Sequence, residues 1–490
     1  MSISVGTDGP TEPVSLSELL TRAARGAMAL GVRQVALTVL NVLGAAALAR
    51  LVAPATFGVL AVAGFVVGFL NFFAEAGLGA SLIRQRETPN VREQQSSFTL
   101  QFGLSLVVLA IGWFLAPVIA DAVNAVPHTT TLIRLGFVSL VLSSAQLVPA
   151  AMLERELRFS RLGGINALQA LVFNGLAVGL AAAGWPVIGI GVAMMSQAVV
   201  GASLLAYSNP WRPGFVFRST GLRDRLRFAV PLQMSSVLSS LKDAIAPLFI
   251  GALLGARAVG LVEWANAYAA YPVLALMAFQ QVYLPTFSRL QDDPLALGKA
   301  ADKVLLGTNL IVAPLACLSF VLAAPLTRGI FGEKWLVALP TFRLFWIANV
   351  FVASVSPLLS MLYARGKTMV ALKFTLLWMA STWIFGVPLI HLLGIKGYGV
   401  ANVGVQLTNF LLFRAAKREA PLHIFAQFWR PWLAAATVAG VVYAVSQLLT
   451  TSMVVTAAEL LCGLLLYVAV MWRVESRTFR RILVAIRRIS

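Results

Sequence analysis

Every long apolar stretch in this chain is about as long as a bilayer is thick, and the cations between the stretches gather in alternate gaps. A hydrocarbon core takes about 20 residues of helix to cross. Fourteen such stretches can be read, at 25–51, 56–82, 97–121, 131–152, 162–183, 186–207, 226–254, 258–284, 300–324, 338–363, 369–391, 396–415, 432–451 and 452–472. With the N-terminus on the cytoplasmic side, 29 of the 38 Lys and Arg residues fall in segments on that side. Four more (Arg257, Arg328, Lys334, Lys396) fall on the other side, and five (Arg33, Arg50, Arg134, Lys242, Arg343) lie within spans. Short cationic loops stay cytoplasmic, and one missed span would break the alternation. The pattern predicts an all-α integral membrane protein with 14 transmembrane helices and both termini cytoplasmic.

Composition points the same way. The chain is 59% hydrophobic and 12% charged, a balance that water-soluble domains of this length do not carry. Its net charge of +19 sits beside the spans, where anionic headgroups are the natural counter-charge, so no nucleic-acid partner is expected. Cys317 and Cys462 both fall inside apolar spans and read as small hydrophobes. Residues 1–20 hold Asp8, Glu12 and Glu18 without a basic start, so the first span is expected to serve as its own targeting signal.

The chain repeats itself. LVAPATFG at 51–58 returns as LLGARAVG at 253–260, an offset of 202. FLAPVIA at 114–120 returns as LAAPLTR at 322–328, and GIGVA at 189–193 as GYGVA at 397–401, both offset by 208. Arg134 in LIRLGF matches Arg343 in TFRLFW. Each repeat holds six spans, an even number, so both halves enter from the same side, as in parallel-repeat transporters. The expected order is a cytoplasmic segment 1–24, a six-helix bundle 25–207, a cytoplasmic linker 208–225 and a second six-helix bundle 226–415. A cytoplasmic loop with two extra helices (416–472) and a basic amphipathic cytoplasmic tail (473–490) complete it.

Ionisable groups at membrane depth are costly and normally face a bundle interior or a watery cavity. Here they concentrate on four spans that the repeat makes equivalent in pairs. The first carries Arg33, Gln34 and Asn41; the second carries Asn71 and Glu75, four apart on one face. The seventh carries Lys242 and Asp243 between Pro231 and Pro247; the eighth carries Glu263, Trp264, Tyr268 and Tyr271 before Pro272. Arg33, Gln34, Asn41, Lys242, Trp264, Tyr268 and Tyr271 are the candidate cavity residues. Asp243, Glu75 and Glu263 are the candidate ion-coupling carboxylates. Adjacent residues on a regular helix point about 100° apart, so Lys242 and Asp243 are expected to serve different partners. His128, His391 and His423 are scattered, and no phosphate-binding loop, metal set or catalytic constellation is present, so neither an enzyme nor a cofactor is expected.

Several segments resemble the polysaccharide-transport flippases, the Wzx-type, colanic-acid-exporter-like branch of the multidrug/oligosaccharidyl-lipid/polysaccharide superfamily. The resemblance is carried by ALARLVAPATFGVLAV (47–62), EAGLGASLIRQRE (75–87), LERELRFSRL (153–162), SNPWRP (208–213), LPTFSRLQDDP (284–294) and FGEKWLVALPTFRLF (331–345). It implies two six-helix bundles opening alternately to each side around a cationic cavity, and two added helices beside a groove for a lipid tail. The implied substrate is an undecaprenyl-pyrophosphate-linked oligosaccharide moved across the bacterial inner membrane, with H+ or Na+ or the membrane potential as the driving force. Glycosyltransferases and a polysaccharide polymerase are the implied functional neighbours. The chain departs from the pattern where Ala246 replaces an expected carboxylate and where Glu263 and Trp264 replace an expected Asn-Arg pair. A multidrug or cation antiporter with the same core would call for an acid-dominated cavity and no extra helix pair. A glycosyl polymerase or ligase would call for a large outer loop, which the chain lacks.

Overall fold

The computed structural model describes residues 36–474, except 76, 85–87, 125, 157, 210, 217–232, 235, 236, 239, 275, 450 and 451. The candidates Arg33 and Gln34 therefore lie outside the described residues, as do most of the expected linker and tail. Among the described residues there are helices and turns and no strand.

Eleven helices are long and apolar enough to cross a membrane. The difference from fourteen has three sources. Of the first expected span only Ala36–Leu51 is described, too short to qualify. The seventh and eighth run together as Ser240–Leu274, broken at Gly255 by a backbone (φ 80°, ψ 173°) that L-residues with a side chain rarely adopt. The twelfth divides into Ile395–Leu407 and Asn409–Glu419.

We number the elements α1 (Ala36–Leu51), α2 (Pro54–Glu75), α3 (Leu78–Arg84), α4 (Val91–Ala122), α5 (Thr129–Arg155), α6 (Phe159–Ala182) and α7 (Pro186–Ser208). After Gly255's break come α8 (240–254) and α9 (256–274), then α10 (Met277–Ser288), α11 (Pro294–Val321), α12 (Leu339–Ala364) and α13 (Thr368–Leu393). The last are α14 (Ile395–Leu407), α15 (Asn409–Glu419), α16 (Ile424–Ser446) and α17 (Met453–Val474). The helix ends near Arg84, Arg155, Arg289, Arg365 and Arg418 are called the basic face; the opposite ends, near Pro54, Gly255 and Trp335, are called the latched face.

Packing contacts recur at the sequence offset of the repeat. Gly191 of α7 presses on Leu135 of α5, and Gly399 of α14 presses on Leu344 of α12. Arg134 lies over the Trp113 ring at 4.6 Å, and Arg343 over the Phe320 ring at 5.7 Å. Arg155 donates to the carbonyl of Leu82, and Arg365 to that of Gln291. Asn90 caps α4 by accepting from the Glu93 amide, and Asp293 caps α11 by accepting from the Leu295 and Ala296 amides. Side-chain oxygens at these positions satisfy donors that the first turn leaves without partners. The same elements thus start, stop and pack in the same way twice.

The pair α16 and α17 has no counterpart in the first half. Helix α16 lies along α11, pinned by a buried hydrogen bond from Trp432 Nε1 to Asn309 Oδ1 at 2.9 Å. Asn309 donates in turn to the Leu305 carbonyl at 2.8 Å. Substituting Asn309→Leu leaves the indole N–H without a partner in an apolar setting, which costs about 1–3 kcal/mol. Lower thermal stability of the purified variant, with α16 and α17 first to become protease-sensitive, is the expected outcome.

Candidate functional site

The two halves meet most extensively where α2 crosses α9 near the latched face. The crossing is backbone on backbone. A Cβ on Gly58 would lie 1.8 Å from the Ala256 carbonyl, and one on Gly260 would lie 1.9 Å from the Pro54 carbonyl. Gly58 and Gly260, and likewise Pro54 and Ala256, are equivalent in the LVAPATFG/LLGARAVG repeat, so the contact is reciprocal about a pseudo-twofold axis. Small residues let helix backbones approach in this way inside membranes.

Two clasps flank the crossing, again in equivalent places. From the α4–α5 turn, the Val123 carbonyl accepts from the Ala256 amide at 2.9 Å. From the segment between α11 and α12, Lys334 Nζ donates to the carbonyls of Arg50 (2.7 Å) and Val52 (2.6 Å), and Trp335 Nε1 to that of Ala49 (2.9 Å). Arg50 answers by donating to the carbonyls of Gly329 and Ile330. The end of α1 exposes carbonyls that its own helix cannot satisfy, and cations suit that end. The second clasp is therefore a charged lid on a helix C-terminus.

Beneath the clasps lies an aromatic cluster that includes three candidate cavity residues. Trp264, 2% exposed, stacks on Trp335 at 5.3 Å and meets Phe331 edge-on. Tyr268 stacks on Phe342 at 4.7 Å and touches Tyr271 at 5.7 Å. In this state Trp264 and Tyr268 face aromatic neighbours rather than an open chamber. The cluster leaves Trp264 Nε1, the Tyr268 hydroxyl, and Thr327 and Thr341 Oγ1 buried with no hydrogen-bond partner among the described residues. Each such atom costs about 1–3 kcal/mol, so the closed face holds a reserve that opening to water would release.

Hollows lie toward the basic face. One, of about 790 Å³, lies between Phe72 of α2, Ser240 and Asp243 of α8, and the side chains of Tyr363, Thr368 and Thr375 on α12 and α13. A second, of about 460 Å³, lies mainly within the first half, lined by Glu75, Gln101, Gln146 and Glu154, with Gln233 from the second half. Glu75 is exposed there and accepts from Asn71 Nδ2 at 2.9 Å, the pairing that their spacing predicts.

Lys242 and Asp243 correct one expectation: they pair with each other, Nζ to Oδ1 at 2.6 Å. Both stand on regular helix, and the long, flexible Lys242 side chain spans the angle between them. From Ile245 to Ile250 the backbone widens into a π-type turn around Pro247, and Trp383 Nε1 of α13 holds the Leu241 carbonyl at 3.0 Å. Both side chains remain open to solvent (40% and 66%), so the pair is worth no more than about 1 kcal/mol and is easily exchanged for a ligand. Glu263, half-buried on α9, lies within electrostatic range of Asp243 and Tyr398. Lys242 and Asp243 are thus in contact, Glu263 is within electrostatic range of Asp243, and Glu75 lines a different hollow. Asn41, expected beside Arg33, accepts from Asn174 Nδ2 at 3.1 Å and ties α1 to α6.

Comparison with known proteins places this arrangement. Residues 47–340 match the model of a family described as polysaccharide biosynthesis protein. The chain is 26% identical over 374 residues to the lipopolysaccharide biosynthesis protein WzxC of Escherichia coli (strain K12), covering 74% of each chain. It is 24% identical over 347 residues to the teichuronic acid biosynthesis protein TuaB of Bacillus subtilis (strain 168), covering 69% of this chain and 68% of that one. Its fold is similar to that of the lipid II flippase MurJ in an inward closed conformation, with a TM-score of 0.74 and 13% identity, over 90% of this chain and 99% of that one.

Proposed function

Because this chain belongs to the polysaccharide biosynthesis protein family, among the Wzx-type members of the multidrug/oligosaccharidyl-lipid/polysaccharide superfamily, we propose that it carries lipid-linked oligosaccharide units across the bacterial inner membrane. The units are linked to undecaprenyl pyrophosphate and serve exopolysaccharide or O-antigen assembly. Fourteen spans, six in each of two bundles and two added, place both termini and the basic face in the cytoplasm. The state described is then closed outward and hollow inward.

The observation that carries this reading is the pairing of a symmetric, clasped crossing at one face with a hollow between the halves at the other. Alternating access needs two such faces and a joint between them. Lys242, with Arg33 where the first span begins, receives the pyrophosphate or acidic sugars; a cation and a phosphate form the stronger class of hydrogen bond. Asp243 and Glu263 are the carboxylates where a coupling H+ or Na+ binds, and a ligand drives the cycle only by binding the two states unequally.

The test is a double-mutant cycle on translocation of lipid-linked oligosaccharide in proteoliposomes. Lys242→Met and Asp243→Asn are each expected to slow initial translocation by about tenfold or more, the loss of one charge-assisted contact. The double variant is expected to stay slow. Full recovery in the double variant would make the pair a purely structural bridge and remove both residues from the carrier site.

A further inference from the structure

The repeat isolates a site that only the second half possesses. Arg134 and Arg343 are equivalent, each lying over an aromatic ring of the preceding helix. Against the second of them the unrepeated pair α16–α17 builds a roof. The result is a cavity of about 420 Å³ at the latched face, lined by Arg328 and Arg343 on one side and Tyr443, Gln447 and Glu459 on the other. Cavities of this size take small ligands or headgroups.

Its charges are arranged in an unusual way. Glu459 is only 9% exposed and sits six residues into α17, about 9 Å along the helix from Met453. That places it within an apolar helix long enough to cross a bilayer. An acid there is costly without a partner, yet among the described residues neither arginine reaches it within ion-pair distance. The two guanidiniums and the carboxylate face one space without closing on each other.

We propose that this cavity binds the headgroup of an aminophospholipid from the leaflet at the latched face. Arg328 and Arg343 take its phosphate, and Glu459 takes its primary ammonium. Guanidinium suits a phosphate oxygen pair. The carboxylate selects against headgroups that are wholly anionic, and against a quaternary ammonium, which has no N–H to donate. The acyl chains leave between α12 and α17 into the bilayer, so the lipid joins the unrepeated pair to the repeat. This assignment rests on the cavity alone and holds whatever substrate the protein carries.

Native mass spectrometry of the full chain tests it, with phosphatidylethanolamine, phosphatidylcholine and phosphatidylglycerol offered in equal amounts. One phosphatidylethanolamine is expected to be retained about tenfold over the other two. Glu459→Gln, nearly the same shape, is expected to abolish the preference over phosphatidylcholine. Arg343→Ala with Arg328→Ala is expected to weaken retention of every phosphate lipid, and Arg343→Lys with Arg328→Lys to restore part of it; size-exclusion profiles matching the native chain show that the variants fold. Equal retention of ethanolamine and choline lipids by the native chain, stronger retention of the glycerol lipid, or a preference unchanged in Glu459→Gln would overturn the proposal.

Discussion

Replacing Gly58 or Gly260 with leucine is expected to hold the latched face open and to abolish transport. The reason is geometric. The new Cβ would lie under 2 Å from a carbonyl oxygen of the facing helix, where ordinary contact begins at 3.4 Å. The obstacle is backbone, which cannot swing aside like a side chain, so α2 and α9 must separate by more than an ångström. Separation also pulls Lys334 and Trp335 away from the end of α1, because one rigid crossing holds both clasps in register. Overpacking of this kind costs about 1–3 kcal/mol even where neighbours can yield. Shifting the closed state by about 3 kcal/mol changes its population by more than a hundredfold. Spin labels at Trp185→Cys and Leu392→Cys, exposed at the latched face on opposite halves, would report a long distance in the leucine variants and a short one in the native chain. The label positions require a background lacking Cys317 and Cys462. Gly58→Ala is expected to give a smaller effect of the same sign.

Trp335→Ala is expected to open the same face by a different route, through lost cohesion instead of a clash. Trp335 is fully buried, stacks on Trp264, meets Phe57 edge-on and donates to the Ala49 carbonyl. Truncating a buried tryptophan costs about 3–5 kcal/mol. The share made with Phe57 and Ala49 falls on the closed state, since they belong to one half and Trp335 to the other, whereas the stack on Trp264 lies within one half. Trp335→Phe keeps most of the packing and loses one hydrogen bond, about 1 kcal/mol. The measurement is the rate at which a membrane-impermeant thiol reagent modifies Ala49→Cys added from the latched face. The expected order is Trp335→Ala fastest, then Trp335→Phe, then native. Equal rates in all three would show that the clasp does not hold the face shut.

Much of this molecule could be read before any fold was known, for particular reasons. Apolar length and loop charge depend on the bilayer, which acts on each segment separately, so the spans are local signals. The repeat was equally visible, and LVAPATFG/LLGARAVG already set Gly58 opposite Gly260 in alignment. What alignment does not convey is that the two glycines touch each other, because equivalence in sequence says nothing about distance across the symmetry axis. Gly255 merges two expected spans into one run because a single residue suffices for the break, without a polar loop to mark it.

The candidate site was legible in part. Lys242, Asp243 and Glu263 stand out by the rarity of charge at membrane depth, and in the fold the first two touch. They pair although both stand on regular helix, because the flexible lysine stem reaches across the 100° between neighbouring positions. Trp264 and Tyr268, candidate cavity residues by sequence, pack in this state into the closed aromatic cluster. Lys334 and Trp335 were missed as a clasp. They lie in a short segment between spans, where a cation and an indole are ordinary interface residues, and their partners are backbone carbonyls nearly 290 positions away that carry no side-chain signature.

The central claim is that the two halves rock about the α2–α9 crossing, so that one face opens only as the other shuts. It is tested by measuring two distances in one sample by pulsed electron paramagnetic resonance. The first is between labels at Trp185→Cys and Leu392→Cys on the latched face, and the second between labels at Arg158→Cys and Met369→Cys on the basic face. Adding lipid-linked oligosaccharide, or imposing an ion gradient, is expected to lengthen the first distance and shorten the second in the same population. Two distances that stay fixed, or that lengthen together, would contradict it.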